Sequence, residues 1–270
     1  MDREKEKSKL QLVKIRILPI FEKNINLIQL VKTSFPFGWE KFFISETSEI
    51  DELNNLTDLG ILTLISEHLA KKEKSEHYIS YPLRKDIFSC YRILSPERVK
   101  VIFLNDEPYD EKSPKGIPIS DGKCFSVVRG APIPDLLSKF FSIIENDYPK
   151  FKKPKHGDLS SLACQGVLML NLYLTCSPKI HSDTPKEQHK FWLPFTEATI
   201  SFILDLKPEV PIVCFTDFSF KIAIKFKTRI FNCSGQFSKW KKDQDKCDKF
   251  IDINNYLKLK SVEPIDFCLI

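Results

Sequence analysis

The stretch VKVIFLNDEPYDEKSPKGIPISDGKCFS, residues 99–126, runs from an apolar strand directly into a pair of acids. Its first six residues are mostly apolar and β-branched or aromatic, which is typical of a short buried strand. The strand then ends on Asn105, Asp106 and Glu107. Because functional residues of parallel sheets gather beyond the carboxyl ends of the strands, this ending predicts a functional edge.

Three further apolar runs, GVLMLN (166–171), PIVCF (211–215) and TRIFN (228–232), also end on or just before polar residues. Between these runs lie segments with helical periodicity, such as PDLLSKFFSIIEND (134–147) and FWLPFTEATISFILDL (191–206). The alternation predicts a three-layer α/β/α fold with a central parallel four-stranded sheet and crossover helices. We therefore expect the polar strand ends to converge on one cleft.

The length and composition are those of a chain with one large core. With 270 residues, 42% of them hydrophobic, the chain is expected to form one α/β domain over residues 36–270, after a basic N-terminal extension at 1–35. Leucines at roughly helical spacing predict helices over 53–69. The net charge of +5 permits a polyanionic partner without requiring one.

No membrane, metal or cofactor pattern is present in the sequence. The N-terminus is charged from its second residue, and nowhere do eighteen apolar residues run together, so we expect an intracellular protein without membrane contact. Eight cysteines stand singly with no C-x-x-C pair, which argues against zinc and iron–sulfur sites. We expect the cysteines to be reduced and mostly buried.

Four motifs resemble, in order and spacing, the family 1 uracil-DNA glycosylases. They are YPLRKDIFSCYRILSPERVKVIFLNDEPYD, KGIPISDGKCFSV, HGDLSSLACQGVLMLNLYLT and EPIDF. The similarity covers roughly residues 36–267, and the looser matches are similar to the divergent herpesvirus and poxvirus members. The resemblance implies a DNA partner, because that family flips uracil out of the stack and cleaves its glycosidic bond.

The first three of these motifs assign five residues to the chemistry and to base binding. In NDEPYD, Glu107 stands at the position of the catalytic Asp that positions the attacking water, and Asp106 precedes it. Tyr109 matches the tyrosine that blocks the C5 methyl group of thymine. Phe125 matches the aromatic on which the base stacks, and Asn171 matches the amide that pairs with the uracil edge. The longer Glu107 side chain implies altered catalytic geometry.

The closing motif, FNCSGQFS (231–238), departs most from the family's HPSPLS. Asn232 stands at the position of the catalytic His, and loss of such a preorganised donor costs about 10²–10³ in rate. Ser234 belongs to the same DNA-binding loop. Gln236 or Phe237 is then expected to act as the wedge that fills the vacated base step.

Two phosphate-gripping loops are also altered. APIPD (131–135) keeps Pro132 and Pro134 of the family's proline-rich loop as DNA-binding candidates. TDFS (216–219) replaces a Gly-Ser pair and places Asp217 where its negative charge repels a phosphate. The resemblance therefore implies a weakened grip on DNA.

Three functions follow, in this order of preference. The first is a DNA-binding relative with weakened or lost uracil excision that serves replication or repair, in the nucleus or a viral replication compartment, through replication proteins such as a polymerase accessory factor. The second, ranked close behind, is an active glycosylase that uses Glu107. The third is a protein-interaction module that retains only the fold.

Overall fold

The structure, a computed structural model, describes residues 37–39, 42, 69, 81–177, 185–237 and 248–270. The predicted basic extension at 1–35 and nearly all of the predicted helices over 53–69 lie outside these residues. The proposed domain boundary at residue 36 therefore stays a prediction.

Four strands form one parallel sheet in the order β2-β1-β3-β4. They are β1 (Val101–Asn105), β2 (Val167–Asn171), β3 (Ile212–Cys214) and β4 (Ile230–Asn232). Each lies within one of the four apolar runs of the sequence, and the predicted parallel four-stranded sheet is confirmed. The register places the last residue of β1 directly beside the last residue of β2.

Helices follow or connect the strands. In chain order they are α1 (Ser89–Ile93), α2 (Asp135–Asp147), α3 (Ser160–Cys164), α4 (Pro185–Leu206), α5 (Asp217–Ala223), α6 (Ser234–Phe237) and α7 (Phe250–Leu259), with 3₁₀ turns at Arg84–Asp86 and Pro96–Arg98. The two predicted crossover segments are α2 and the greater part of α4. None of the helices described is both long and apolar enough to cross a membrane.

The sheet divides the core into two layers of apolar side chains. Along β1, Val101 and Phe103 pack into one layer, while Ile102 and Leu104 pack into the other. The first layer is covered by α2, α3 and α7, and the second by α1, α4 and α5. A strand buried on both faces reads as a continuous apolar run, which is why β1 shows no alternation in the sequence. The three-layer α/β/α fold is confirmed.

Candidate functional site

A cleft of about 610 Å³ opens at the carboxyl end of β1. Six of the predicted site residues line it, namely Asp106, Glu107, Tyr109, Phe125, Pro132 and Pro134. The cleft lies where parallel sheets bind their ligands, because the loops that follow the strands leave a crevice there. The chain thus brings together residues that are up to 28 positions apart in the sequence.

The end of β1 presents two carboxyl groups in different environments. Glu107 is exposed, and its backbone carbonyl accepts a hydrogen bond from Asn105 Nδ2 at 3.3 Å. Asp106 is half-buried, and its Oδ1 accepts a hydrogen bond from the Thr216 hydroxyl. Burial raises the pKa of the Asp106 carboxyl above its usual value, although the hydrogen bond from Thr216 opposes the shift. Glu107 is therefore the solvated acid of the pair.

Two polar atoms of the predicted base-binding residues are buried without a hydrogen-bond partner. Among the described residues, six buried side-chain polar atoms lack a partner, and the Tyr109 hydroxyl and Asn171 Oδ1 are two of them. Asn171, which was predicted to line the cleft, is 1% exposed and is not among the lining residues; it lies beside Asn105, which does line the cleft. Since an unsatisfied buried acceptor costs about 1–3 kcal/mol, these two atoms are candidates for hydrogen bonds to a ligand.

Phe125 adopts a backbone conformation that non-glycine residues rarely take. Its φ is 62°, in the left-handed region, and such strain persists only where the surroundings enforce it. The ring stacks on Phe140, with centroids 5.0 Å apart, and meets Phe215 edge-on at 4.8 Å. This packing fixes the ring as one wall of the cleft.

The loop before Phe125 holds a buried ion pair. Asp121 Oδ2 accepts hydrogen bonds from Lys123 Nζ at 2.7 Å and from Ser126 Oγ at 2.6 Å, while its Oδ1 accepts from the Lys123 backbone at 3.2 Å. Gly122 has φ +84°, and a Cβ there would lie 1.7 Å from the Asp86 carbonyl oxygen. The loop is therefore closely packed, and it holds Lys123 at the cleft wall.

The end of β4 is closed by its own hydrogen bonds. Asn232 Oδ1 accepts from the Ser234 backbone at 3.0 Å, and the Asn232 backbone donates to Asp248 Oδ2 at 2.7 Å. Gln236 is buried, and its Nε2 donates to the Asp248 carbonyl oxygen. Ser234 Oγ donates to Asp217 Oδ1 at 2.8 Å. These groups satisfy one another within the protein.

The residues predicted for the closing motif do not line the cleft. The Phe237 ring packs inward, 5.4 Å from Phe125 and 5.5 Å from Phe215 between centroids. Gln236 is buried and Phe237 is partly buried, and their role as a wedge stays a prediction. The catalytic role of Asn232 likewise stays a prediction.

Lys123 and Thr216 are among the residues of the cleft that the sequence did not assign to the site. A lysine inside the otherwise buried stretch DGKCFS was a signal for the first, because lysine is rarely buried without a specific partner. Thr216 caps α5 by accepting a hydrogen bond from the Ser219 backbone, a pattern that the sequence TDFS permits.

Acidic side chains outnumber basic ones around the cleft. The charged lining residues are Asp106, Glu107, Asp110, Glu111, Lys112, Lys123 and Asp135. Such a lining disfavours a phosphate inside the cleft but stabilises positive charge that develops on a bound group. Among the described residues, no cluster of three His, Cys, Asp or Glu side chains is placed to hold a metal ion.

Comparison of the whole chain with known structures shows the same fold in a viral enzyme. The crystal structure of mimivirus uracil-DNA glycosylase superposes with a TM-score of 0.73 over 90% of this chain and 89% of that one, at 22% sequence identity. No protein-family model matches the chain.

Sequence identity to curated relatives shows the family of the chain. Uracil-DNA glycosylase of Proteus mirabilis is 32% identical over 187 residues, which cover 69% of this chain and 68% of the relative. The enzyme of Idiomarina loihiensis is 33% identical over 139 residues, 52% of this chain and 61% of the relative. Other curated relatives are matched over about half of their length. Identity at this level across two thirds of a relative shows that the chain belongs to the uracil-DNA glycosylase family.

Proposed function

We propose that the protein binds a uracil of DNA in the cleft and hydrolyses its glycosidic bond. The observation that carries the proposal is the buried acceptor Asn171 Oδ1, which has no partner among the described residues and lies at a strand end beside the cleft. An amide offers one acceptor and two donors, which suits the edge of uracil. The relatives named uracil-DNA glycosylase support the same activity.

The cleft walls suit a flat pyrimidine. The fixed ring of Phe125 offers a stacking surface, and Tyr109 stands at the position where the family excludes the methyl group of thymine. A base that leaves the stack loses several kcal/mol of stacking and pairing, which such contacts replace in part. Asp106 accepts a hydrogen bond from Thr216, so we assign it to the wall of the cleft and not to direct contact with the base.

Glu107 is the residue proposed to act on the attacking water. It is the exposed carboxyl residue at the end of β1, and it lines the cleft. In the reaction the bond from the sugar C1′ to uracil N1 breaks, its electron pair leaves with uracil, and water adds to C1′. The acid-rich lining stabilises the positive charge that develops on the sugar.

A second candidate is a DNA-binding accessory with weakened or lost excision. The observation that favours it is the closed network at the end of β4, in which Asn232 and Gln236 are engaged with neighbouring backbone groups. In this candidate the protein is a divergent, herpesvirus- or poxvirus-like member with altered catalytic motifs. It then acts in the nucleus or a viral replication compartment through a replication partner such as a polymerase accessory factor.

The test is abasic-site formation on a single-stranded oligonucleotide with one uracil. We expect cleavage by the wild-type protein, a loss of at least about 10²-fold in Glu107→Gln, and no change in Glu145→Gln, an exposed acid of α2 that does not line the cleft. Wild-type protein that is folded and binds the oligonucleotide but forms no abasic sites would support the accessory instead. If the protein is folded but binds no DNA, the remaining function is the protein-interaction module that retains only the fold.

A further inference from the structure

We propose that Lys123 is a catalytic residue whose ammonium group donates hydrogen bonds to the departing uracil and stabilises its negative charge. The proposal rests on the proposed glycosylase function and assigns an electrostatic role within that reaction. Lys123 lines the same cleft as Glu107 and Phe125. Its position two residues before Phe125 places it in the loop that forms the proposed stacking wall.

The ammonium group has unused hydrogen-bonding capacity. Lys123 is only 7% exposed, and among the described residues Asp121 Oδ2, at 2.7 Å, is the hydrogen-bond acceptor of its Nζ. An ammonium carries three N–H donors, so two remain for a ligand in the cleft. A buried donor left without a partner is costly, and a bound carbonyl oxygen would remove that cost.

The placement of Lys123 is preorganised rather than flexible. Asp121 accepts hydrogen bonds from both the backbone and the side chain of Lys123, and Gly122 packs against the Asp86 backbone. A long lysine side chain normally loses considerable entropy when it is fixed. Here the side-chain entropy of Lys123 is already lost when the protein folds. The cation is therefore in place before charge develops on uracil, as electrostatic catalysis requires.

A cation at this position would stabilise the negative charge that develops on the departing uracil. When the C1′–N1 bond breaks, the electron pair makes uracil an anion, and five acids of the cleft lining oppose that charge. Asn232 does not line the cleft, and the other lining cation, Lys112, is exposed and screened by solvent. Lys123 keeps its own proton throughout; water supplies the hydroxyl to the sugar and, through solvent, the proton to uracil.

The competing role for Lys123 is purely structural, as the partner of Asp121. The two roles separate in a set of three variants: Lys123→Met, Asp121→Asn and the double variant Asp121→Asn/Lys123→Met. Lys123→Met leaves a buried carboxylate unpaired, which destabilises the fold by itself. The double variant removes both charges, and Asp121→Asn keeps the cation together with an oxygen acceptor for it.

Single-turnover uracil excision on the oligonucleotide, with melting curves for each variant, is the measurement. We expect Lys123→Met and the double variant to lose about 10²–10³-fold in rate, and Asp121→Asn to stay within about tenfold of wild type. Recovery of activity in the double variant, or a loss in Asp121→Asn as large as in Lys123→Met, would overturn the proposal.

A binding readout separates this proposal from the proposed function. 6-Azauracil ionises near neutral pH, and its affinity is measured by calorimetry below and above that ionisation for the wild-type and double-variant proteins. We expect the wild-type protein to bind the anion more tightly and the double variant to lose that preference. If the wild-type protein excises no uracil yet shows this preference, the proposed function and the catalytic role of Lys123 both fail, and only anion binding by Lys123 stands; if it excises uracil without the preference, the proposed function stands. Without the preference, the role of Lys123 fails.

Discussion

The carboxyl edge of the sheet has two halves that treat their polar groups differently. At the end of β2, Asn171 Oδ1 is buried without a partner in the described structure, and the Tyr109 hydroxyl beyond β1 is in the same state. At the end of β4, Asn232 and Gln236 are engaged by backbone groups nearby. We call these the open half and the closed half.

The difference teaches which part of the site is available to a ligand. Unpartnered buried acceptors are costly to maintain, whereas the hydrogen bonds at the end of β4 stabilise the fold and occupy Asn232 Oδ1 and Gln236 Nε2. Asn171 and Asn232 both end a strand, but we expect Asn171 to bind the ligand and Asn232 to stabilise the local structure. Substitutions can test this division in order of expected effect.

The largest effect is expected when the asparagine of the open half is removed. Asn171→Ala should lower uracil excision by about 10²–10³-fold, because the preorganised group that we propose for binding the base is lost. Its effect on stability from hydrogen bonding should be small, since Oδ1 has no partner among the described residues. Single-turnover excision and thermal melting measure the two effects.

Asn232→Ala is the matched control in the closed half. It removes the acceptor for the Ser234 backbone, so we expect about 0.5–2 kcal/mol of destabilisation and a change in excision of less than tenfold. Equal losses of activity in the two variants would mean that the halves do not differ in function.

The next effect is the gain expected if Glu107 and Asn232 stand at the catalytic positions that the resemblance implies. Glu107→Asp with Asn232→His should raise excision by more than the product of the two single changes, because both groups act on one dissociating transition state. Abasic-site formation by the four proteins measures the coupling. A folded double variant no faster than wild type would show that the closed half prevents the imidazole from reaching the base.

A smaller effect concerns Asp248, which fixes the closed half. Asp248→Ala removes the carboxylate that accepts from the Asn232 backbone at 2.7 Å, and we expect about 1.5–3 kcal/mol of destabilisation in denaturant unfolding. Glu263→Ala, which removes an exposed ion pair with Lys100, serves as the control and should cost no more than about 1 kcal/mol. Similar costs for both would mean that the closed half is held by other contacts.

The smallest effect is a change in how stability depends on pH. Burial raises the pKa of Asp106 in the folded state, so its contribution to stability is full below the ordinary aspartate pKa, about 3.9, and is lost as pH rises through the raised pKa. Asp106→Asn cannot ionise and still accepts from Thr216. We expect it to melt no more than about 2–4 °C higher than wild type at neutral pH, and at the same temperature as wild type at low pH. An equal difference at both pH values would contradict this.

Local patterns in the sequence were sufficient for the sheet and for one side of the site. Apolar runs such as Val101–Asn105 are continuous because both faces of the strand are buried, and their polar ends mark the cleft. The contacts that close the β4 end were not predictable, since Asp248 lies 16 residues beyond Asn232 and forms no motif with it. The ion pair of Lys123 was equally hidden, because its burial depends on packing of the loop against Asp86.

Substitutions at Gly122 are expected to impair both folding and the proposed activity. Any side chain at this position would collide with the Asp86 carbonyl oxygen, which is backbone and has no rotamer to yield. Displacement of the loop would carry Lys123 and Phe125 with it, so the same substitutions would impair folding and the cleft wall together. In a library randomised at position 122, glycine should dominate among survivors, whether the screen selects for protein abundance or for action on uracil.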